Sequence, residues 1–221
     1  TGDDIYICIE DTVYRSTDSG DSWEVFFMSS DEITSVDKIE NTLFITMNGQ
    51  GIYQSSDNGI TWEPFNNGLS DLHVNTIGKI GTTIVCGTSY DGFYYFTEGQ
   101  WKQNNAGIIC SSVRSITTIS DALIANDKDN VYILNNESKW SIISPDISKT
   151  YFGSLASMGD TIFLSVDYTT STYPYDQPFI MYSPDHGATW KNLINPVPFA
   201  RDDAYGIYCK KNRLYVFEDE I

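Results

Sequence analysis

The chain has 221 residues, 41% of them hydrophobic, and a formal net charge of −17 from 13 basic and 30 acidic side chains. That is enough apolar material for one sizeable core, which excludes a disordered chain. The negative balance opposes phosphate, so nucleic acid and anionic lipid are excluded as partners, and no apolar run reaches the roughly 20 residues of a bilayer span.

The predicted elements are short strands throughout. Apolar and polar residues alternate with period two, and the alternation breaks at Gly, Asn, Asp and Ser. Ile5–Ile9 opens the series and leads to the phrase Ser16-Thr17-Asp18-Ser19-Gly20-Asp21-Ser22-Trp23. The second repeat is the clearest: strand A at Ile33–Ile39, B at 43–47, C at Gly51–Ser55 and D at 61–65. Between its strands C and D stands Ser55-Ser56-Asp57-Asn58-Gly59-Ile60-Thr61-Trp62. The third and fourth repeats end at Trp101 and Trp140 with shorter turns, where Glu98 and Asn136 fall near the Asp place. The fifth restores the full phrase, Ser183-Pro184-Asp185-His186-Gly187-Ala188-Thr189-Trp190. The tryptophans are 39, 39, 39 and 50 residues apart. Two further strands follow, at 204–210 and 213–218.

Four antiparallel strands recurring at this interval define a blade, and blades bury both faces against their neighbours. The expected fold is therefore all-β, a β-propeller of four-stranded antiparallel blades with five repeats, at about 4–27, 33–65, 74–103, 113–143 and 151–193. The strands of 204–218 close the ring or stand surplus. A part of a six- or seven-bladed ring is the alternative.

The phrase S-x-D-x-G-x-T-W resembles the Asp-box repeat of sialidases, sortilin, xyloglucanases and photosystem II assembly-factor propellers. The wording of the repeats is most similar to that of secreted bacterial Asp-box proteins. The resemblance implies a propeller and an extracytoplasmic location in a bacterium; it does not imply one activity, because these families do unrelated things. In each intact box the glycine (Gly20, Gly59, Gly187) is expected at positive φ. The aspartate (Asp18, Asp57, Asp185) is expected to accept backbone N–H bonds and fix the turn. Trp23, Trp62 and Trp190 are expected to cover the turn and pack on the adjoining blade.

In an up-and-down blade the A–B and C–D turns share one side, and the B–C loops and D-to-A links share the other. The boxes therefore lie away from the B–C loops, where function is expected. The long fifth interval places its excess in one such loop, 166–178, with Tyr168, Tyr173 and Tyr175, which suit stacking on sugar rings or anchoring a protein. Its expected same-side neighbours are Tyr90 and Asp91, then 127–129, then Arg201 and Asp202. The stretch 127–130 is read as a solvated turn rather than a calcium loop, since calcium wants six to eight oxygens.

The expected function is a non-catalytic glycan- or protein-binding module acting through these loops. The alternative is a glycoside hydrolase using a carboxylate pair, with Asp91, Asp167 and Asp202 as candidates. Sialidase activity is disfavoured. That family clamps its substrate carboxylate with three arginines, and of the four here, Arg15, Arg114, Arg201 and Arg213, only Arg114 and Arg201 fall on the suitable side. No Ser-His-Asp arrangement is supported, since His186 belongs to a box and His73 to an ordinary link. Cys8, Cys86, Cys110 and Cys209 form no CxxC pair, so buried free thiols are expected, with one disulfide as the alternative. No metal and no cofactor are expected. Pairing of end strands between molecules would give an oligomer. No charged-then-apolar leader opens the chain, so the expectation is that any secretion signal was removed or never present.

Overall fold

The computed structural model describes residues 4–109, 111–120, 122–134, 139–147, 150–168, 179–193, 206–210 and 212–217. Every regular element among them is a strand, so no described helix is long and apolar enough to cross a membrane.

The chain forms two compact units, Thr1–Asn104 and Asn105–Ile221. In the N-terminal unit, β1 (Ile5–Ile9), β2 (Thr12–Ser16) and β3 (Glu24–Met28) make a three-stranded sheet. Two four-stranded sheets follow. The first holds β4 (Ile33–Ile39), β5 (Thr42–Met47), β6 (Gly51–Ser55) and β7 (Glu63–Pro64). The second holds β8 (Val74–Ile80), β9 (Thr83–Thr88), β10 (Phe93–Thr97) and β11 (Gln100–Gln103).

The C-terminal unit continues the pattern. One four-stranded sheet is β12 (Ser115–Ile119), β13 (Ala122–Asn126), β14 (Val131–Leu134) and β15 (Trp140–Ile142). The next is β16 (Thr150–Met158), β17 (Thr161–Tyr168), β18 (Phe179–Ser183) and β19 (Lys191–Asn192). Then β20 (Gly206–Lys210) pairs with β21 (Arg213–Phe217). All pairings are antiparallel between consecutive strands, which is the up-and-down order of a blade. The register of the second repeat matches the alternation read from its residues, from Leu43 opposite Ser55 to Met47 opposite Gly51.

Why these residues make blades is visible in the second strand of the four-stranded sheets. Leu43, Phe44, Ile45, Thr46 and Met47 of β5 are all buried, and so are Leu123, Ile124, Ala125 and Asn126 of β13. A strand buried on both faces needs a sheet on either side. In the N-terminal unit, Val13, Ile33, Ile45 and Met47 form one inter-sheet core, while Phe44, Ile52, Ile77, Cys86 and Tyr94 form the next. In the C-terminal unit, Ile124, Val131, Leu155, Ile162 and Leu164 do the same. Neighbouring sheets are also joined along their first strands by hydroxyls. Thr34 Oγ1 donates to the Val74 carbonyl at 2.5 Å, and Thr117 and Ser157 hydroxyls meet at 2.8 Å. Cys8, Cys86 and Cys209 are free thiols.

Candidate functional site

The three intact boxes share one hydrogen-bonding scheme. Ser16 Oγ accepts the Gly20 N–H at 2.8 Å and donates to Asp18 Oδ1 at 2.8 Å. Asp18 Oδ1 then accepts the Ser22 N–H at 2.9 Å and Oδ2 accepts its hydroxyl at 2.5 Å. Asp57 takes the Thr61 N–H and hydroxyl at 2.9 and 2.6 Å, and Asp185 takes those of Thr189 at 2.8 and 2.6 Å. These bonds, first the Ser22 or Thr61 hydroxyl and then its N–H, hold the Asp18 and Asp57 carboxyls down to about 2. Each aspartate closes its own turn.

Gly20, Gly59 and Gly187 have φ of +96°, +88° and +87°, and the residue before each (Ser19, Asn58, His186) is also left-handed. A Cβ on Gly59 would meet the Phe26 ring of the preceding sheet at 2.5 Å. The third repeat departs from the scheme. Glu98 and Gly99 make a two-residue turn, both at positive φ, and Glu98 pairs with Lys102 at 2.6 Å. Trp101 and Trp140 lie within strands and are buried, whereas Trp23, with no sheet before it in its unit, is 38% exposed. Asn136 lies outside the described residues.

The B–C loops and D-to-A links do share a side within each unit. The Gly51 N–H bonds the Leu72 carbonyl at 2.9 Å, the Ser89 N–H bonds the His73 carbonyl at 2.9 Å, and the Phe152 N–H, near the start of β16 just after a link, bonds the Lys128 carbonyl at 2.8 Å. Bulges at Ile33/Ser35, Val74/Thr76 and Phe152/Leu155 recur at this same end of the first strands. A bulge re-aims the side chains beside it.

In the N-terminal unit this side carries a built cluster. Asp71 is buried; its Oδ1 accepts the His73 N–H at 2.9 Å and faces His73 Nδ1 at 3.0 Å, and its Oδ2 accepts the Tyr90 N–H at 2.8 Å. Burial pushes the Asp71 carboxyl up, but the N–H groups of His73 and Tyr90 outweigh it and leave the carboxyl below the ordinary range. The His73 and Tyr90 rings stand 5.1 Å apart at 80°, and Tyr90 is 66% exposed. Asp91 Oδ2 accepts the hydroxyls of Ser70 at 2.6 Å and Tyr94 at 3.1 Å. His73 is thus no ordinary link residue, and the sequence reading missed Asp71. The signal was the Asp-x-His spacing, an Asx turn whose carboxylate reaches back to the link.

In the C-terminal unit the turn 127–130 is solvated at Lys128 and Asp129, as expected, but its first residue, Asp127, is buried. Its Oδ1 accepts the N–H groups of Asp129 and Asn130 at 2.6 Å each, and its Oδ2 accepts the Tyr132 hydroxyl at 2.5 Å. Lys128 Nζ lies 5.6 Å from the Tyr151 ring centre. Arg114 Nη1 reaches the Phe152 carbonyl at 3.5 Å. Asp167 stands opposite Tyr151 in the β16–β17 pairing. Tyr168 ends β17; Tyr173, Tyr175, Arg201 and Asp202 lie outside the described residues.

These sheets and loops define a β-propeller protein with five blade repeats. No protein-family model and no curated protein matches the sequence. Solved structures do match in fold. A chain of a nidogen/laminin complex is similar with TM-score 0.71 and 12% identity, over 96% of this chain and 84% of that one. YCF48 bound to D1 peptide is similar with TM-score 0.58 and 16% identity, over 88% and 64%. The GH74 xyloglucanase from Xanthomonas campestris is similar with TM-score 0.61 and 16% identity, over 87% of this chain and 36% of the enzyme. The chain spans about a third of the GH74 enzymes it matches.

Proposed function

We propose that this chain is a propeller of the Asp-box type that binds a glycan or protein ligand through the side carrying its B–C loops, without catalysing a reaction on it. The observation that carries the reading is the Asp71 cluster: a buried carboxylate spends both oxygens on presenting an exposed tyrosine and a half-exposed imidazole. Rigid aromatic side chains on a preformed scaffold are what recognition sites use, because little conformational freedom is lost on binding. The fold neighbours agree with a binding role, since one was solved with a D1 peptide and another in a nidogen/laminin complex.

The alternative is glycoside hydrolysis by a carboxylate pair, favoured by the GH74 enzymes among the neighbours. Against it, the Asp71, Asp91 and Asp127 carboxylates are engaged in internal hydrogen bonds, which suits a scaffold better than a proton shuttle.

The test is retention on a glycan array and against candidate protein partners, with Tyr90→Ala compared against the triple variant Tyr168→Ala, Tyr173→Ala and Tyr175→Ala. Loss of retention in either supports the reading. Polysaccharide turnover abolished by Asp91→Asn or Asp202→Asn would replace it with the hydrolase.

A further inference from the structure

We propose that Tyr90 and His73 form a subsite for an uncharged pyranose ring, with the sugar's C–H face on Tyr90 and one of its hydroxyls donating to His73 Nε2. This deepens the binding reading above and rests on it.

The imidazole comes first. Asp71 Oδ1 lies 3.0 Å from His73 Nδ1. A carboxylate only accepts, so Nδ1 carries a proton, and the tautomer this selects has Nε2 as its acceptor. Nε2 lies beside Gly49, where a Cβ would already be in contact at 3.6 Å. With no side chain there, the imidazole stays 47% exposed.

The second wall is aromatic. Tyr90 sits in the loop between β9 and β10, 66% exposed, with its N–H fixed to Asp71 and its ring nearly perpendicular to that of His73. Two rings at 80°, 5.1 Å between centres, make a corner. A pyranose fits such a corner because it offers an apolar face and a polar edge at right angles to it. A few placed polar groups beside an aromatic surface are the usual means of fixing a small ligand.

Charge selects the class of sugar. The four basic residues of this unit, Arg15, Lys38, Lys79 and Lys102, all lie near the A–B and C–D turns, at the opposite end of the strands. Three of them pair there with Glu24, Glu40 and Glu98. Among the described residues of the unit no Lys or Arg accompanies Tyr90, while Asp71 and Asp91 do, so a carboxylated or sulfated sugar meets only repulsion. A basic peptide is drawn by the same charge, but with both Asp71 oxygens bonded within the cluster the corner offers it no paired contact from that carboxylate.

The experiment follows the His73 Cε1–H and Tyr90 ring signals by NMR while cellohexaose, xylohexaose, mannohexaose, trigalacturonate and an arginine-rich peptide are added separately. At least one neutral hexaose is expected to move both sets of signals. Tyr90→Ala and His73→Ala are each expected to weaken its binding about tenfold, Tyr90→Ala, at an exposed position, without lowering the melting temperature. Signals unmoved by every neutral oligosaccharide, or moved by trigalacturonate or the peptide instead, overturn the subsite. If the triple tyrosine variant alone loses retention in the array, the subsite fails while the binding reading stands. If no glycan or protein is retained by the parent protein, both fail.

Discussion

Asp71 holds Tyr90 by its backbone, with Oδ2 accepting the Tyr90 N–H at 2.8 Å across 19 residues of sequence. The ring is left to solvent while the loop beneath it is pinned. Asp71→Ala is expected to strand the N–H groups of Tyr90 and His73 and cost about 1–3 kcal/mol. Because the native carboxyl sits below the ordinary range, its contribution is present above the unfolded value of about 3.9 and fades as pH falls through the lower native value. Amide exchange at Tyr90 checks this. Protection should drop at neutral pH in the variant, and in the parent only under acid. Equal protection in both would mean the loop stands without the carboxylate.

The box aspartates give a second pH signature. With Asp18 and Asp57 held to about 2, the native state keeps these groups ionised where the unfolded chain binds protons. Stability from them is complete above about pH 4 and is lost between there and pH 2. Melting temperature followed over that interval should fall steeply in the parent and less steeply in Asp57→Asn, which has no charge to lose there. Parallel slopes would remove the box from the acid response.

The boxes and strands were legible because their physics is local. A turn aspartate bonds the fourth residue after it, and a strand's alternation shows in five or six letters. Tyr90 and Asp91 were named from the sequence, but their support by Asp71 was not legible, because Asp71 and Tyr90 meet through a main-chain N–H that any residue but proline supplies. The buried place of Asp127 within its solvated turn was hidden for the same reason, its partners being Tyr132 and two backbone N–H groups rather than any motif.

Asp37, on β4, behaves oppositely. Burial pushes its carboxyl up to about 6, with the Lys38 N–H and the Lys79 charge opposing. The native state then holds a proton that the unfolded chain has released, so stability falls as pH rises from about 4 to 6. Asp37→Asn should gain at most about 3 kcal/mol over the parent at pH 7, each pH unit being worth about 1.4 kcal/mol, and nothing at pH 4. Urea midpoints at the two pH values measure it, and a gain independent of pH would show packing as the cause.

The tryptophan ladder contains its own control. Trp101 Nε1 donates to the Phe65 carbonyl and Trp190 Nε1 to the Ile143 carbonyl, both at 2.7 Å. Each acceptor lies three residues after the preceding repeat's tryptophan, so the same rule assigns Trp62 to the Phe26 carbonyl. That bond is not made; Trp62 Nε1 is buried without a partner. The cause is in β3, where Val13 opposes Phe27 and Tyr14 opposes Val25, leaving Phe26 as the bulged residue. A bulge disrupts the ladder and leaves its residue unpaired. Trp101→Phe therefore strands a carbonyl, whereas Trp62→Phe removes a donor that was never satisfied. Trp101 is also the more deeply buried of the two indoles, so the lost bond and the lost area act in the same direction, and Trp101→Phe should cost at least about 2 kcal/mol more. Urea denaturation of both variants decides it. Equal losses would mean that the Trp101 bond to the Phe65 carbonyl contributes nothing.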